Sequence, residues 1–407
     1  MASSDAAVPS VDTPVAPSVA LGPALRAYGA RLHAAEDVAD HHHVLSPLGV
    51  WLLVALAGSA AREDATRAAV GEVLGLDVDT AAATARRLLA EPHPDVAAAT
   101  AAWSEAATTD AADPARLAAW REALPAATAT GPIPSQADLD AWTREHTLGL
   151  IDAFPADVPP DTTLMLATAL ATRISWREPF TEVPADRLGG AWRVPHALLS
   201  PAAHAVRVVD VAGGRYVVHT ATSAGGLAVL SVLPAGGTDA GTALDAAYAV
   251  ATDADDITSV PLVDLPLGPG PWGEVTELER PTGEPVEAGT ALLPPWSADT
   301  LLGLTEVPGI GVGTAGRALA DVFPTTARNG TAALQRCVAS YSATGFEAAA
   351  VTAMMRAGSF RPQGTQTVRR LSATFDRPYA VVAVVRGDHA GPWRDVPVFS
   401  GWVAPTT

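Results

Sequence analysis

The sequence has no lysine, a single cysteine and a single asparagine among its 407 residues. One cysteine, Cys337, excludes an intrachain disulfide framework. All 26 basic residues are arginine, against 44 acidic residues, which gives a formal charge of −18. This charge excludes nucleic acid and an anionic membrane surface as expected partners. The scarcity of lysine and asparagine beside abundant Ala, Gly, Pro and Arg is typical of GC-rich codons and suggests a bacterial source.

The sequence also lacks a standard targeting or membrane-spanning segment. The apolar run "VLSPLGVWLLVALAGSA" (44–60) is shorter than a membrane span and carries Pro47 near its start, so it predicts a buried helix. The first residues have neither a basic region nor a long apolar core, unlike a secretory signal. They predict a flexible Pro/Ser/Ala-rich tail over 1–21. We therefore expect a cytoplasmic location, with export by a non-standard route left open.

A large apolar fraction is present, and it is arranged as helices followed by strands. Hydrophobic residues make up 48% of the chain, enough for a sizeable core. Helical patterns dominate the first third, where Ser46 before Pro47 and Ser135 are expected N-caps. Short β-prone runs follow from residue 162, including "AVRVVDV" (205–211) and "LAVLSVLP" (227–234). This order predicts an α+β fold with one domain over 22–407.

Motifs that would carry catalysis or ligand binding are weak. "GVGTAG" (311–316) fits the dinucleotide fingerprint but lacks the preceding strand and the later acidic residue, so it indicates a glycine-rich loop. "HHH" (41–43) has no second ligand cluster and is interpreted as a solvated turn before a buried strand. Cys337 lies in a β-prone run, which favours a packed thiol over a reactive one. We expect no enzyme activity, no metal and no cofactor.

One segment has an unusual composition. Residues 344–359, "TGFEAAAVTAMMRAGS", are small and mostly uncharged, between two strand-like runs at 334–342 and 369–375. Alanine favours helices and is depleted in strands, yet the flanks have no helical apolar stripe. The residues alone leave two interpretations open: a linker, or a segment that adopts two conformations.

Several segments, taken in order, resemble the serpin family. The resemblance extends from about residue 22 to 405 and rests on an ordered set of individually weak motifs. They are "VLSPLGVWLLVALAGSAAREDATRAAVGEVLGL" (44–76), "AWTREHTLGLI" (141–151), "LMLATALATRISWREPF" (164–180), "GGLAVLSVLP" (225–234), "FDRPYAVVAVVR" (375–386) and "VPVFSGWVAP" (396–405). The resemblance implies helices followed by a large central sheet, additional sheets and an exposed reactive-centre loop at about 343–370.

Within that loop, "TGFEAAAVTA" is similar to the serpin hinge. In the family this segment inserts as a new strand in the central sheet after a protease cuts the loop. The implied hinge residues are Gly345, Phe346, Glu347, Ala348, Ala349, Ala350, Val351, Thr352 and Ala353. Strand alternation predicts that Phe346, Ala348, Ala350 and Thr352 face inward after insertion. A span of about 15 residues from Gly345, at ~3.3 Å each, places the cut near Ser359–Phe360. Arg356 and Arg361 are alternative cleavage positions.

Four departures from the family pattern leave the function open. Phe346 replaces a small residue, Ala343 a glutamate, Gly49 a serine and Thr168 an asparagine. An oversized inward residue costs about 1–3 kcal/mol and would slow insertion. The first hypothesis is a monomeric inhibitor that traps a serine or cysteine protease covalently. The alternative is a non-inhibitory binding or scaffold protein. The basic run 361–370 either attracts an acidic protease surface or is a solvated loop.

Overall fold

A computed structural model describes residues 21–35, 41–189, 192–281, 287–323, 333–346, 365–387 and 390–405. Its helices alternate with strands in the first half and become rare in the second. The helices are α1 (Leu21–His33), α2 (Pro47–Gly58), α3 (Asp64–Leu74), α4 (Val78–Ala90), α5 (Ala106–Asp110), α6 (Pro114–Ala123), α7 (Gln136–His146), α8 (Ala240–Ala251) and α9 (Val312–Ala320).

The strands become dense after residue 164. They are β1 (His43–Leu45), β2 (Ala97–Ser104), β3 (Ala129–Gly131), β4 (Leu164–Ala171), β5 (Ile174–Ser175), β6 (Thr181–Val183), β7 (Ala197–Leu199), β8 (Ala205–Val211), β9 (Gly214–Thr222), β10 (Leu227–Pro234), β11 (Ile257–Val260), β12 (Gly268–Gly270), β13 (Gly273–Pro281), β14 (Glu287–Leu293), β15 (Trp296–Gly303), β16 (Leu334–Tyr341), β17 (Gly345–Phe346), β18 (Thr365–Thr374), β19 (Tyr379–Val385) and β20 (Pro397–Val403). The α+β prediction is confirmed.

These strands form four sheets. A seven-stranded sheet has the order β1-β20-β19-β10-β9-β8-β11, and a six-stranded sheet the order β12-β13-β18-β14-β7-β6. A four-stranded sheet, β15-β16-β17-β5, and a three-stranded sheet, β3-β2-β4, complete the set. The chain passes directly from β4 to β5 through residues 172–173, so these last two sheets are joined at one end.

Local signals explain several helix starts. The Ser46 hydroxyl accepts a hydrogen bond from Gly49 N–H at 3.2 Å, with Pro47 at the first helical position, so the predicted N-cap is confirmed. The predicted cap at Ser135 is confirmed by a bond from Asp138 N–H. Helix α2 is buried on nearly every side, and none of the helices described is long and apolar enough to cross a bilayer. The apolar run at 44–60 is therefore a core helix, as predicted.

Helix α8 was missed in the Pro/Gly-rich and acidic part of the sequence. Asp239 caps it by accepting from Thr242 N–H at 2.9 Å, and its alanine-rich body is almost wholly buried. It packs on β8, β9, β10, β19 and β20, forming a second core on one face of the seven-stranded sheet. The larger core lies on the other side of that sheet and includes α1, α2 and α9. The sequence signal for this helix is the capping residue Asp239 followed by an alanine-rich run.

Two expectations about exposed segments need correction. The expected loop to residue 370 is too long, because residues 365–370 belong to β18, paired antiparallel with β13 and parallel with β14. This polar strand has charged partners across the sheet: Arg369 lies 2.8 Å from Glu277. The solvated turn at 41–43 is wrong for His43, which begins β1, is buried and hydrogen-bonds His33 at 2.8 Å.

Candidate functional site

Strands β4 and β16 each have an edge with little or no strand pairing in the part of the chain that the structure describes. Among the described residues, β4 pairs only with β2. Strand β16 pairs with β15 along its length, and its other edge pairs, within the same described ranges, only at Tyr341, opposite Phe346. Both strands reach the start of α2, because Leu170 of β4 and Gln335 of β16 approach the same Gly49. We call the space between these two edges the gap.

The gap is closed at one end by main-chain hydrogen bonds. In β17, Gly345 pairs with Ser175 and Phe346 with Ile174, both antiparallel. The Trp176 N–H donates to the Thr344 carbonyl at 3.0 Å. We call this region, residues 174–180 with residues 342–346, the upper closure.

The upper closure continues beyond the paired strands. The Phe180 N–H donates to the Ala343 carbonyl at 2.8 Å, and the Trp176 indole donates to the Ser342 carbonyl at 3.0 Å. Four consecutive residues, 342–345, thus lie against one short segment that follows β4. The contact of Ala343 is made by its main chain, so it does not depend on the side chain at this position.

Phe346 lies inside this closure before any insertion, so its predicted inward position after insertion stays a prediction. Its side chain is 3% exposed, and its ring meets the Trp296 ring edge to face with centroids 6.1 Å apart. A small cavity beside the ring is bordered by Val381 and Phe399. Trp296 in turn stacks on Tyr341 at 5.9 Å. The expected overpacking at Phe346 is therefore absent in this conformation, since an aromatic cluster accommodates the ring.

The middle of the gap is bridged by side chains. Thr168 of β4 donates its hydroxyl to the Gly49 carbonyl at 3.0 Å. From β16, Gln335 accepts from Ser46 N–H at 3.1 Å and donates to the Ser46 carbonyl at 2.8 Å. The N-terminus of α2 thus binds both edges, one through a threonine and one through a glutamine. Glycine suits position 49, because a Cβ atom there would lie 3.3 Å from the Ser46 hydroxyl, closer than an ordinary van der Waals contact.

Gln335 was not predicted from the sequence. It shares one face of β16 with Cys337, Ala339 and Tyr341, because strand residues alternate between faces. The sequence signal for its role is that Gln335 is the one amide side chain on a strand face whose other residues are buried. Cys337 is a packed thiol, as predicted: it is buried, and that burial raises its pKa to about 12.

The remaining sequence-predicted site residues are not all placed. Gly345 and Phe346 lie together in β17. The other hinge residues, 347–353, and the cleavage candidates Arg356, Ser359, Phe360 and Arg361 lie outside the described residues. Their assigned roles stay predictions.

Comparison with known proteins gives a fold and no closer relationship. No protein-family model matches the chain, and no curated protein matches it. Solved structures match over nearly the whole chain. Serpin48 of the insect Tenebrio molitor is 14% identical with a TM-score of 0.59, covering 95% of this chain and 98% of that one.

Three further structures give the same result. Human glycosylated kallistatin is 14% identical with a TM-score of 0.64, covering 96% of this chain and 100% of its own. The thermophilic serpin tengpin, in its native state, is 13% identical with a TM-score of 0.60, covering 98% and 97%. Human thyroxine-binding globulin is similar at 12% identity and a TM-score of 0.64, covering 95% and 98%. The chain has the serpin fold.

Proposed function

We propose that this protein inhibits a serine protease by forming a covalent acyl complex and inserting its cut loop into the gap. The observation that carries the proposal is the seating of Gly345 and Phe346 between β5 and β16, at the entrance of two strand edges that lack partners among the described residues. A cysteine protease would react in the same way through a thioester.

The chemical step belongs to the protease. Its serine oxygen attacks the carbonyl carbon of residue 359, and the bond to Phe360 breaks. The serine proton passes through the protease histidine to the new amine of Phe360. The carbonyl carbon stays joined to the serine as an ester, which water must hydrolyse to release the enzyme. Insertion before that hydrolysis would move the attached protease away from its working geometry.

The pairing of β17 supports a specific position for an inserted strand, if the loop continues in the same register. Tyr341 pairs with Phe346 and Ile174 with Phe346, so each step along the loop moves one residue back along β16 and along the β4–β5 segment. In the same register Thr352 comes opposite both Gln335 and Thr168. Small residues at 348, 350 and 352 suit this path because the inward face is already packed.

The register also bears on the alternative cleavage positions. Leu164, the first residue of β4, comes opposite Arg356. Cleavage after Arg356 would therefore still fill the length of β4, and cleavage after Ser359 would pass three residues beyond it. Both cuts are compatible with insertion, so the cut position has to be measured.

The test mixes the protein separately with subtilisin, trypsin and chymotrypsin and analyses each mixture on a denaturing gel. We expect a denaturation-resistant band at the summed mass with at least one protease. The mass of the released C-terminal fragment identifies the cut bond. Cleavage without that band for all three enzymes would contradict trapping of these proteases.

A pair of neighbouring variants isolates insertion from cleavage. Thr352→Arg puts a long charged side chain on the inward face, and Val351→Arg puts the same side chain on the outward face. Thr352→Arg should be cut without forming the stable band, and Val351→Arg should form it. Equal behaviour of the two variants would contradict the insertion register.

A non-inhibitory binding role is the second candidate, favoured by Phe346. Its ring is held in an aromatic cluster, and this contact must break or slide before the strand can advance. Under this role the loop is cut without the stable band, and the melting temperature does not rise after cleavage. A large rise would favour insertion.

A further inference from the structure

Two buried histidines lie behind the upper closure. His204 precedes β8 and is 7% exposed, and His219 lies in the middle of β9 and is fully buried. The His204 Nδ1 and His219 Nε2 atoms are 3.0 Å apart, and the ring centroids 5.1 Å. Neither ring takes part in the contacts that define the proposed function.

The partners of the two rings fix their protonation. The His204 Nε2 atom is 2.8 Å from the Glu178 carbonyl oxygen, which can only accept, so Nε2 carries the proton. The His204 Nδ1 atom is then the acceptor for the His219 Nε2–H. The remaining nitrogen, His219 Nδ1, is buried without a hydrogen-bond partner among the described residues. Both rings are therefore neutral, and one buried lone pair is free for a proton.

The pair contacts the segment that closes the gap. The Phe180 ring lies 4.9 Å from the His204 ring, edge to face, and 5.5 Å from the His219 ring. The Phe180 N–H is the donor to the Ala343 carbonyl, and Glu178, two residues earlier, is the acceptor for His204. The same short segment is thus bonded to the histidines on one side and to the start of the loop on the other.

The groups that contact the pair, among the residues that the structure describes, are uncharged. Ser231 of β10 and Val206 of β8 are the direct strand partners of His219. From β16, the Tyr341 ring packs on Phe180 at 5.6 Å. From residues 174–180, the contact to His204 is the main-chain carbonyl of Glu178. A proton added to the pair would therefore be an uncompensated charge in a buried site.

We infer that the His204–His219 pair is an acid-sensitive clasp, which holds residues 176–180 against residues 343–346 when neutral and releases them when protonated. An imidazolium at this site needs more water than the closed state admits, and displacement of residues 176–180, which carry the Phe180 ring, would admit it. The same displacement would break the Phe180–Ala343 main-chain hydrogen bond. Opening of the upper closure is thereby coupled to proton uptake.

The direction of the pH effect follows from linkage. Burial lowers the pKa of His204 to about 4 and that of His219 well below its usual 6.5. In an open state the solvated rings would take up protons near pH 6.5, whereas in the closed state they stay neutral to lower pH. Above pH 6.5 both states are neutral, so proton uptake does not yet weaken the closed state. This preference is lost as pH falls from 6.5 toward 4, by up to about tenfold in the opening equilibrium per pH unit and per histidine.

This inference rests on the proposed function only for its consequence, since opening matters to inhibition if the loop inserts. The test uses no protease. Hydrogen exchange, followed by mass spectrometry on peptides that contain 174–180, gives the protection of the Trp176 and Phe180 amides at pH 7.0, 6.0 and 5.0. After correction for the intrinsic exchange rate, we expect protection to fall at least tenfold from pH 7.0 to 5.0.

Two double variants separate the clasp from general acid sensitivity. His204→Gln/His219→Gln keeps amide donors and acceptors at both positions and should flatten the pH dependence at 174–180. His33→Gln/His43→Gln alters the other buried histidine pair, whose nitrogens are 2.8 Å apart, and should leave that dependence unchanged. If the first variant does not fold, His219→Gln alone removes the free nitrogen and should at least halve the slope.

Two results would overturn the inference. One is wild-type protection at 174–180 that stays constant over this pH range. The other is the same fall in the His204→Gln/His219→Gln variant as in the wild type. A fall that disappears in both double variants equally would assign the effect to the whole fold and would also reject the clasp.

Discussion

The upper end and the middle of the gap are held by different chemistry. At the upper closure, main-chain atoms of residues 343–346 bond to main-chain atoms of residues 174–180, and aromatic rings cover these bonds. In the middle, β4 and β16 do not bond to each other among the described residues; Thr168 and Gln335 bond instead to the start of α2. Resistance to opening thus depends on ring packing at one end and on two polar side chains in the middle.

This difference has a mechanical consequence. A strand that enters the gap replaces main-chain bonds at the upper closure with identical ones further along, so the net change in hydrogen bonds there is small. In the middle the entering strand must separate β4 and β16 around the α2 start, where each side-chain bond has no ready substitute. Under the proposed function, the ring cluster would control the start of insertion, and Thr168 with Gln335 would control its progress.

The largest expected effect is at Trp176, the largest side chain in the upper closure. Its indole donates to Ser342, and its ring packs on Phe180 and Tyr341. Trp176→Ala should lower the free energy of unfolding by about 3–5 kcal/mol, the usual cost of deleting a buried tryptophan. Urea denaturation would measure this loss. Trp176→Phe keeps most of the packing and should cost clearly less, so equal losses would show that the hydrogen bond alone matters.

The next effect is smaller and local. Phe346→Thr removes the ring from Trp296 and should weaken the upper closure by about 2–3 kcal/mol, the value of burying a phenylalanine. Protection of the Trp176 amide against hydrogen exchange should fall about 30- to 150-fold, since about 1.4 kcal/mol corresponds to tenfold. Under the proposed function, the variant should also give more stable complex per cleavage event, because the strand starts free of the ring.

The same variant can contradict the proposed role of the ring. Unchanged amide protection in Phe346→Thr would mean that the main-chain bonds alone hold the closure. A matched change on the outer face, Leu301→Thr on β15, removes an exposed apolar side chain and should leave the protection of Trp176 unaltered.

The contacts that hold the gap also differ in how far they could be predicted from the sequence. Ser46, Ser135 and the strand at 227–234 were found because caps and strand patterns are local signals. Gln335 was missed because its partner, Ser46, lies 289 positions away in the chain.

The start of β18 was missed for the same physical reason. Its polar residues look solvated when considered alone, and only the pairing with β13 supplies the opposite charge, as Glu277 does for Arg369. The size of the aromatic cluster around Phe346 is equally non-local, since Trp296 and Tyr341 come from different strands. Contacts set by tertiary pairing leave little trace in a single sequence.

The smallest expected effect tests the middle of the gap. Gln335→Ala removes the partner of the buried Ser46 N–H and one of two donors to the Ser46 carbonyl, which keeps its bond from Val50 N–H. The variant should cost about 1–2 kcal/mol of unfolding free energy. The neighbouring Arg336 points to the outer face and pairs with Asp299 at 2.7 Å, both side chains at least one-third exposed. Arg336→Gln should cost less than about 1 kcal/mol, as exposed ion pairs do. If both variants lose the same amount in urea denaturation, the glutamine bridge does not hold β16 to α2. If only Gln335→Ala loses stability, the result supports a separate contribution of side-chain bonds in the middle of the gap, beside the ring packing of the upper closure.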